Sequence, residues 1–96
     1  MIALDRESGE LEAGGAGPET RKILSNLIDA LPDFGLALTD LVKVTIYTTR
    51  FDEFPDINAA WEEVFDDISP PARTSVGVSA LPINASVEME FEFYRN

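Results

Sequence analysis

The sequence predicts an α+β domain in which two helices cover one face of a mixed β-sheet. Two stretches carry apolar residues at helical spacing, and three stretches alternate apolar with polar residues in the manner of half-buried strands. The 96 residues have the length of one domain, predicted to span 1–96. Because each predicted element has one apolar side, helices and sheet are expected to bury these sides against each other in two layers.

The amino-terminal segment is predicted to be the end of a strand followed by turns and a loop. Met1 to Leu4 is a short apolar run, and a glycine-rich stretch at 14–17 precedes the first helix. Such a loop could bind an anion at the helix amino terminus, but the lysine and hydroxyl of a phosphate-binding loop are absent. A flexible connection is the simpler interpretation.

The first helix is predicted to begin near Pro18 and to end at Pro32. Proline suits the first helical position, and Glu19 complements the positive end of the helix dipole. Gly35 stands where the chain can leave the helix in a left-handed conformation. The apolar stripe of this helix consists of Ile23, Leu24, Leu27, Ile28 and Leu31.

A strand and a second helix are predicted next. Leu41 to Thr49 alternates and is rich in β-branched residues, with Val42, Val44 and Ile46 on the apolar side. Asp52 is the expected amino-terminal cap of the second helix. The stripe of that helix consists of Phe54, Ile57, Ala60, Trp61, Val64, Phe65 and Ile68.

Two further strands are predicted in the last third of the chain. Pro71 cannot donate a ladder hydrogen bond, so regular pairing begins only after it. In the first of these strands Val76, Val78 and Ala80 are expected on the apolar side. The last strand has Val87, Met89, Phe91 and Phe93 on that side. The open face is therefore predicted to display Lys43, Thr45, Tyr47, Arg73, Ser75, Glu88, Glu90, Glu92 and Tyr94.

Composition excludes several classes of function. The chain has no cysteine and no histidine, which removes disulfides, thiolate or imidazole metal sites and Ser-His-Asp chemistry. The net charge of -11 disfavours binding to nucleic acid. The sequence shows no membrane span and no signal region, so a cytoplasmic protein is expected. The acid excess fits either a high-salt cytoplasm or an ordinary acidic protein.

Arg73 and the glutamates of the last strand are the candidate functional residues. A guanidinium is a planar, permanently charged fork that suits carboxylates and phosphates, although a surface ion pair is the commoner role. Glu88, Glu90 and Glu92 lie about 7 Å apart along one strand face, and spacing alone does not choose among them. A solvated acidic face is the alternative interpretation.

The two sets of candidates are not expected to meet within one subunit. A short connection from Leu81 to Ser86 makes the last two strands antiparallel, with Arg73 and Glu88 at opposite ends and about 20 Å apart. If both belong to one site, that site must lie between subunits.

Six short motifs follow one another along the chain. They are Asp5 to Gly9, Asp40 to Thr45, Phe54 to Asn58, Pro71 to Arg73, Leu81 to Pro82, and Val87 to Glu90. In this order and spacing they resemble the RidA/YjgF family of reactive-intermediate (enamine/imine) deaminases over nearly the whole chain. The series from Pro71 onwards is the most specific part.

The resemblance implies a chorismate-mutase-like fold that forms a homotrimer with ligand clefts between subunits. It implies that Arg73 binds the carboxylate of a small 2-imino or 2-enamino acid, while Glu88 and the backbone carbonyl of Ser75 hold the attacking water. Asn58 is expected near the cleft. The products would be a 2-keto acid and ammonia. No cofactor or metal is required, because an imine is already electrophilic.

The sequence departs from the family at both ends. Members usually have a further amino-terminal segment whose strands and tyrosine contribute to the cleft, and Met1 aligns just after it. The chain is therefore expected to lack the amino-terminal strands of the family. Phe91 to Tyr94 stand where members have small and aliphatic residues.

Two alternatives to deamination remain open. One is a noncatalytic trimeric module that binds a small carboxylate through Arg73. The other is a ribonuclease or translation-inhibitor role described for some relatives, against which the acid excess argues.

Overall fold

The chain forms two helices over a three-stranded sheet, which confirms the predicted α+β class and the two-layer arrangement. A computed structural model describes residues 1–95. Its main elements are α1 (Ala16–Ala30), β1 (Leu41–Thr48), α2 (Phe54–Phe65), β2 (Ala72–Gly77) and β3 (Val87–Phe93). The strand order is β2-β1-β3, with β2 parallel and β3 antiparallel to the central β1. The sheet is therefore mixed, as the sequence predicts.

The core lies between the two helices and one face of the sheet. The helix stripes contribute Ile23, Leu24 and Ile57, and the sheet contributes Val44 and Met89, all fully buried. None of the helices in residues 1–95 is long and apolar enough to cross a membrane. The predicted end of the first helix is confirmed: α1 passes into a 3₁₀ turn, Leu31–Phe34, and Gly35 is left-handed with φ 66°.

Two carboxylates attach the helices to the rest of the fold. Glu53 accepts a hydrogen bond from the Ala16 N–H at 2.9 Å, so a side chain of this protein occupies the amino terminus of α1. A Cβ at Gly15, where φ is +93°, would lie 2.9 Å from this carboxylate. The buried Glu19 accepts hydrogen bonds from the backbone N–H groups of Ser86 and Val87. The beginning of β3 is thereby fixed to α1.

The predicted faces of β1 and β2 are partly wrong. A register shift between Leu41 and Lys43 turns Val42 outward and buries Leu41 instead. In β2, Arg73 is the partner of Val44 and lies on the helix-covered side, whereas Val76 is 39% exposed on the open side. This strand ends at Gly77.

The prediction therefore placed Arg73 and Ser75 on the wrong face of the sheet. A shift of one residue reverses every side chain of a strand, and β2 has too few apolar residues to indicate its phase. The phase is decided by α2, whose aromatic side chains cover the guanidinium.

The predicted cap of the second helix is also wrong. A 3₁₀ turn, Phe51–Glu53, precedes α2, and the helix itself begins at Phe54. Asp52 pairs instead with Arg50, whose guanidinium lies 2.8 Å from one carboxylate oxygen.

The turn before β3 contains a strained residue. Ile83 has φ 47°, a left-handed conformation that β-branched residues rarely adopt, and its side chain is 59% exposed. The neighbouring Asn84 has φ 60°, which asparagine tolerates much better.

Ile83→Asn should raise the free energy of unfolding by about 0.5 to 1 kcal/mol, because it relieves this backbone strain and removes little buried surface. Urea unfolding followed by far-UV circular dichroism measures the change. Asn84→Ile is the matched reverse substitution and should lower stability. If Ile83→Asn and Asn84→Ile had the same free energy of unfolding, the proposed strain at Ile83 would be contradicted.

The predicted turn at Asp5 to Gly9 is stabilised by a carboxylate. Asp5 accepts hydrogen bonds from the backbone N–H groups of Glu7 and Ser8 at 2.8 and 2.9 Å. These bonds, with that of Ser8 contributing most, lower the pKa of the Asp5 carboxyl below its ordinary value of 3.8.

The wild-type protein should be more stable than Asp5→Asn above about pH 4, because a lowered folded-state pKa stabilises the fold only while the carboxylate is ionised. The advantage should disappear as the pH falls through the lowered pKa. Urea unfolding at a series of pH values tests this, with Glu10→Gln on the same turn as a control. A difference that persists unchanged to pH 2 would contradict it.

Candidate functional site

Arg73 lies on the helix-covered side of the edge strand β2, against one face of α2. Its Nη2 donates a hydrogen bond to Asn58 Oδ1 at 2.8 Å. Its Cζ lies 5.5 Å from the ring centroid of Phe54 and 5.0 Å from that of Trp61. Residues 54, 58 and 61 recur at helical spacing, so a single face of α2 supplies all three contacts.

The guanidinium is only partly satisfied by these contacts. Nη1 is buried and has no hydrogen-bond partner within residues 1–95. No carboxylate in that part of the chain forms an ion pair with Arg73, although the sequence has eighteen acidic residues. A desolvated guanidinium costs several kcal/mol, whereas one cation–π contact contributes about 0.5 to 2 kcal/mol. The charge is therefore suited to an additional anionic partner.

The Asn58 amide is held from both sides. Its Oδ1 accepts from Arg73, while its Nδ2 lies 3.4 Å from Glu62 Oε1 one helical turn further along α2. This arrangement fixes the amide so that its oxygen faces the guanidinium. Asn58 therefore orients Arg73, and both residues are positioned by elements of the same chain.

Ser75 lies two residues beyond Arg73 on the same side of β2. The Val78 N–H donates to the Thr48 carbonyl at 2.9 Å, so the even-numbered residues near this end direct their backbone groups towards β1. By alternation, the N–H and C=O of Ser75 point away from β1, towards the sheet edge. No further strand pairs with that edge in the described residues. The Ser75 carbonyl is thus available to a ligand or water.

The three glutamates of β3 differ in their surroundings. Glu90 accepts a hydrogen bond from the Tyr47 hydroxyl, and this bond is the main cause of the raised pKa of Tyr47. Glu92 is exposed and lies opposite Lys43. Glu88 is half-buried, and within residues 1–95 its carboxylate makes neither a hydrogen bond nor an ion pair. The structure thus favours Glu88 over the other two as a ligand-facing group.

Arg73 and Glu88 do not meet within one subunit. Arg73 is level with Val44 and Glu88 with Tyr47, and the whole of β1 lies between them. Their Cα atoms are separated by about 10 Å along the strands and about 10 Å across them, or about 14 Å in all. This is shorter than the 20 Å expected from the sequence. The two side chains also point to opposite faces of the sheet.

Three contacts of the candidate residues are not indicated by the sequence patterns. Phe54 and Trp61 belong to the apolar stripe of α2 and read as core residues, yet both also contact the guanidinium. Tyr47 belongs to the predicted open face, and its hydroxyl binds Glu90 there. One signal in the sequence could have revealed the contacts with Arg73. It is the pair of aromatic residues seven positions apart on the helix that precedes this isolated arginine.

No metal site is evident among the described residues, because none of their carboxylates are grouped so that three or more could hold an ion. The arrangement at Arg73 instead suits a small organic anion. The guanidinium has one edge without a hydrogen-bond partner in residues 1–95, an aromatic backing and an accessible carbonyl two residues away, and these features suit a planar carboxylate.

Comparison with known proteins places the chain in one family. The sequence model of the family described as "Endoribonuclease L-PSP" matches residues 1–92. A RutC family protein of Pyrococcus abyssi is 36% identical over 95 residues, which are 99% of this chain and 74% of that protein. The chain therefore belongs to the RidA/YjgF family, as its motifs indicated.

Two further relatives carry functional information in their names. A 2-iminobutanoate/2-iminopropanoate deaminase of Dermatophagoides farinae is 37% identical over 91 residues, covering 94% of this chain and 70% of that protein. The crystal structure of Escherichia coli TdcF with bound serine superposes with a TM-score of 0.90 at 28% identity, covering 99% of this chain and 76% of TdcF. The fold of the family is thus confirmed.

Proposed function

We propose that this protein hydrolyses reactive 2-imino and 2-enamino acids to 2-keto acids and ammonia. The observation that carries the proposal is the buried Nη1 of Arg73, which has no partner within residues 1–95 and lies beside an accessible backbone edge. Relatives named as 2-iminobutanoate/2-iminopropanoate deaminases support the reaction, and the serine bound to TdcF supports a small carboxylate as ligand.

The chemistry follows from the groups at the edge of β2. The substrate carboxylate pairs with the Arg73 guanidinium, which Asn58 holds in place. The Ser75 carbonyl and the Glu88 carboxylate bind a water molecule, and Glu88 accepts a proton as the water oxygen bonds to the imine carbon. That proton is returned to the imine nitrogen, which gives a carbinolamine. Glu88 then carries the hydroxyl proton to the amino group, and the carbon–nitrogen bond breaks as the carbonyl forms, so that ammonia leaves the 2-keto acid behind.

The site is proposed to form between subunits of a homotrimer. Arg73 and Glu88 point to opposite faces of their own sheet, so a substrate bound at Arg73 can meet the water held by Glu88 only if Glu88 comes from a neighbouring copy. The Nη1 of Arg73 and the carboxylate of Glu88 both lack a hydrogen-bond partner within residues 1–95. A site that takes one group from each of two subunits requires two such groups.

A noncatalytic carboxylate-binding module is the second candidate. The favouring observation is that every group that holds Arg73 is present in one chain, whereas the proposed water-activating group is remote. Binding without turnover distinguishes this candidate from the deaminase.

Arg73→Ala should reduce kcat/KM for imine hydrolysis by about 100-fold or more, because it removes the charge that binds the substrate carboxylate. The imine is generated in situ by an amino-acid oxidase, and the appearance of keto acid is measured. Arg21→Ala, which removes an exposed arginine paired with Glu63, is the matched control and should leave the rate unchanged.

Binding of a stable 2-keto acid should be measured on the same variants. Trp61 is the only tryptophan and lies against Arg73, so its fluorescence should change on binding in the wild type and not in Arg73→Ala. Wild-type binding without any acceleration would favour the binding module. If the wild type neither bound the keto acid nor accelerated imine hydrolysis, the carboxylate site would be refuted.

Mixing Arg73→Ala chains with Glu88→Gln chains should restore activity that neither variant has alone. Random assembly of trimers gives about a quarter of the sites both native groups, so the mixture should reach about a quarter of wild-type activity after unfolding and refolding together. Separately refolded variants, mixed afterwards on ice, are the control. Activity that stays at the level of the single variants would contradict a site shared between subunits.

A further inference from the structure

A stack of aromatic rings continues from Arg73 towards the carboxyl end of β2. The Phe51 ring lies parallel to that of Phe54, with centroids 5.2 Å apart and planes inclined by 10°. Phe51 also closes over Gly77, where an added Cβ would lie 3.2 Å from Phe51 Cδ2. Phe51 is therefore held at the far end of the row formed by Arg73, Ser75 and Gly77.

The Phe51 ring is only half-covered by the rest of the chain. Its exposed fraction is 49%, although phenylalanine side chains of this size are usually buried where the fold allows it. Gly77 admits the ring because it has no side chain to compete for the space. The result is an accessible apolar surface beside an otherwise polar strand edge.

We infer that Phe51 determines which imino acids the site accepts, by contacting the side chain of the substrate. This inference rests on the proposed function. A carboxylate at Arg73 and a reacting carbon near the Ser75 carbonyl direct the remaining carbons along the strand towards Gly77. The distance from Ser75 to Gly77 is about 7 Å, so an isobutyl or benzyl side chain reaches the ring and a methyl group does not.

The charges around Phe51 favour uncharged side chains. Arg50 is the neighbouring cation, and it is already bound to Asp52 at 2.8 Å and to Glu53 at 3.0 Å. A second carboxylate on the substrate would meet these two acidic groups, whose combined negative charge exceeds the single positive charge of Arg50. The substrate class is therefore 2-imino acids with an extended apolar side chain.

The test compares the imines of leucine and alanine, both generated in situ, in wild type, Phe51→Ala and Phe51→Leu. Phe51→Ala should lower kcat/KM for the leucine-derived imine by about 10-fold and change that for the alanine-derived imine by less than about 2-fold. Phe51→Leu should retain most of the wild-type preference for the leucine-derived imine over the alanine-derived imine. Phe34→Ala, at a phenylalanine that is 74% exposed on the turn after α1, is the matched control.

Binding provides a readout that does not depend on turnover. Titration of 4-methyl-2-oxopentanoate and pyruvate, followed by Trp61 fluorescence, should show tighter binding of the longer acid in wild type and equal binding in Phe51→Ala. Equal losses for both imines, or no discrimination between the two keto acids in wild type, would overturn the role of Phe51. Acceleration of neither imine by wild type would instead refute the proposed deamination, while the binding comparison would still decide the role of Phe51.

Discussion

The contact between the Arg73 guanidinium and one face of α2 joins the fold to its candidate site. An arginine on the covered side of a sheet occupies a position where an apolar side chain would ordinarily complete the core. Two aromatic rings and one amide oxygen compensate part of its desolvation, and its exposed strand edge leaves room for an anion. This interaction therefore links the position of α2 over β2 to the chemistry available at that edge.

The excess of acidic residues has structural uses besides solubility. Glu53 stabilises the amino terminus of α1, and Glu19 holds the first backbone groups of β3. Both use carboxylate oxygens to accept hydrogen bonds from backbone N–H groups that would otherwise lack partners. Neither of them forms an ion pair with Arg73, and the guanidinium keeps its charge for a ligand.

The open face of the sheet shows how neighbours distinguish residues that look equivalent in the sequence. Glu88, Glu90 and Glu92 have the same spacing and the same chemistry. Across the strand, however, Tyr47 binds Glu90 and Lys43 faces Glu92, whereas the half-buried Glu88 makes no hydrogen bond within the described residues. The selection is made by side-chain reach across the strands, because Tyr47 is level with Glu88 in the register and yet its hydroxyl reaches diagonally to Glu90.

The sequence alone determined the two helices, the three strands and the mixed two-layer arrangement, because these follow from local periodicity, prolines and glycines. It also singled out Arg73 as a candidate functional residue, and its motifs identified the family. Only the tertiary structure decided the face on which Arg73 and Ser75 lie and the partners of Asn58. An edge strand with few apolar residues has no strong phase of its own, and its orientation is decided by the side chains of α2 that pack against it.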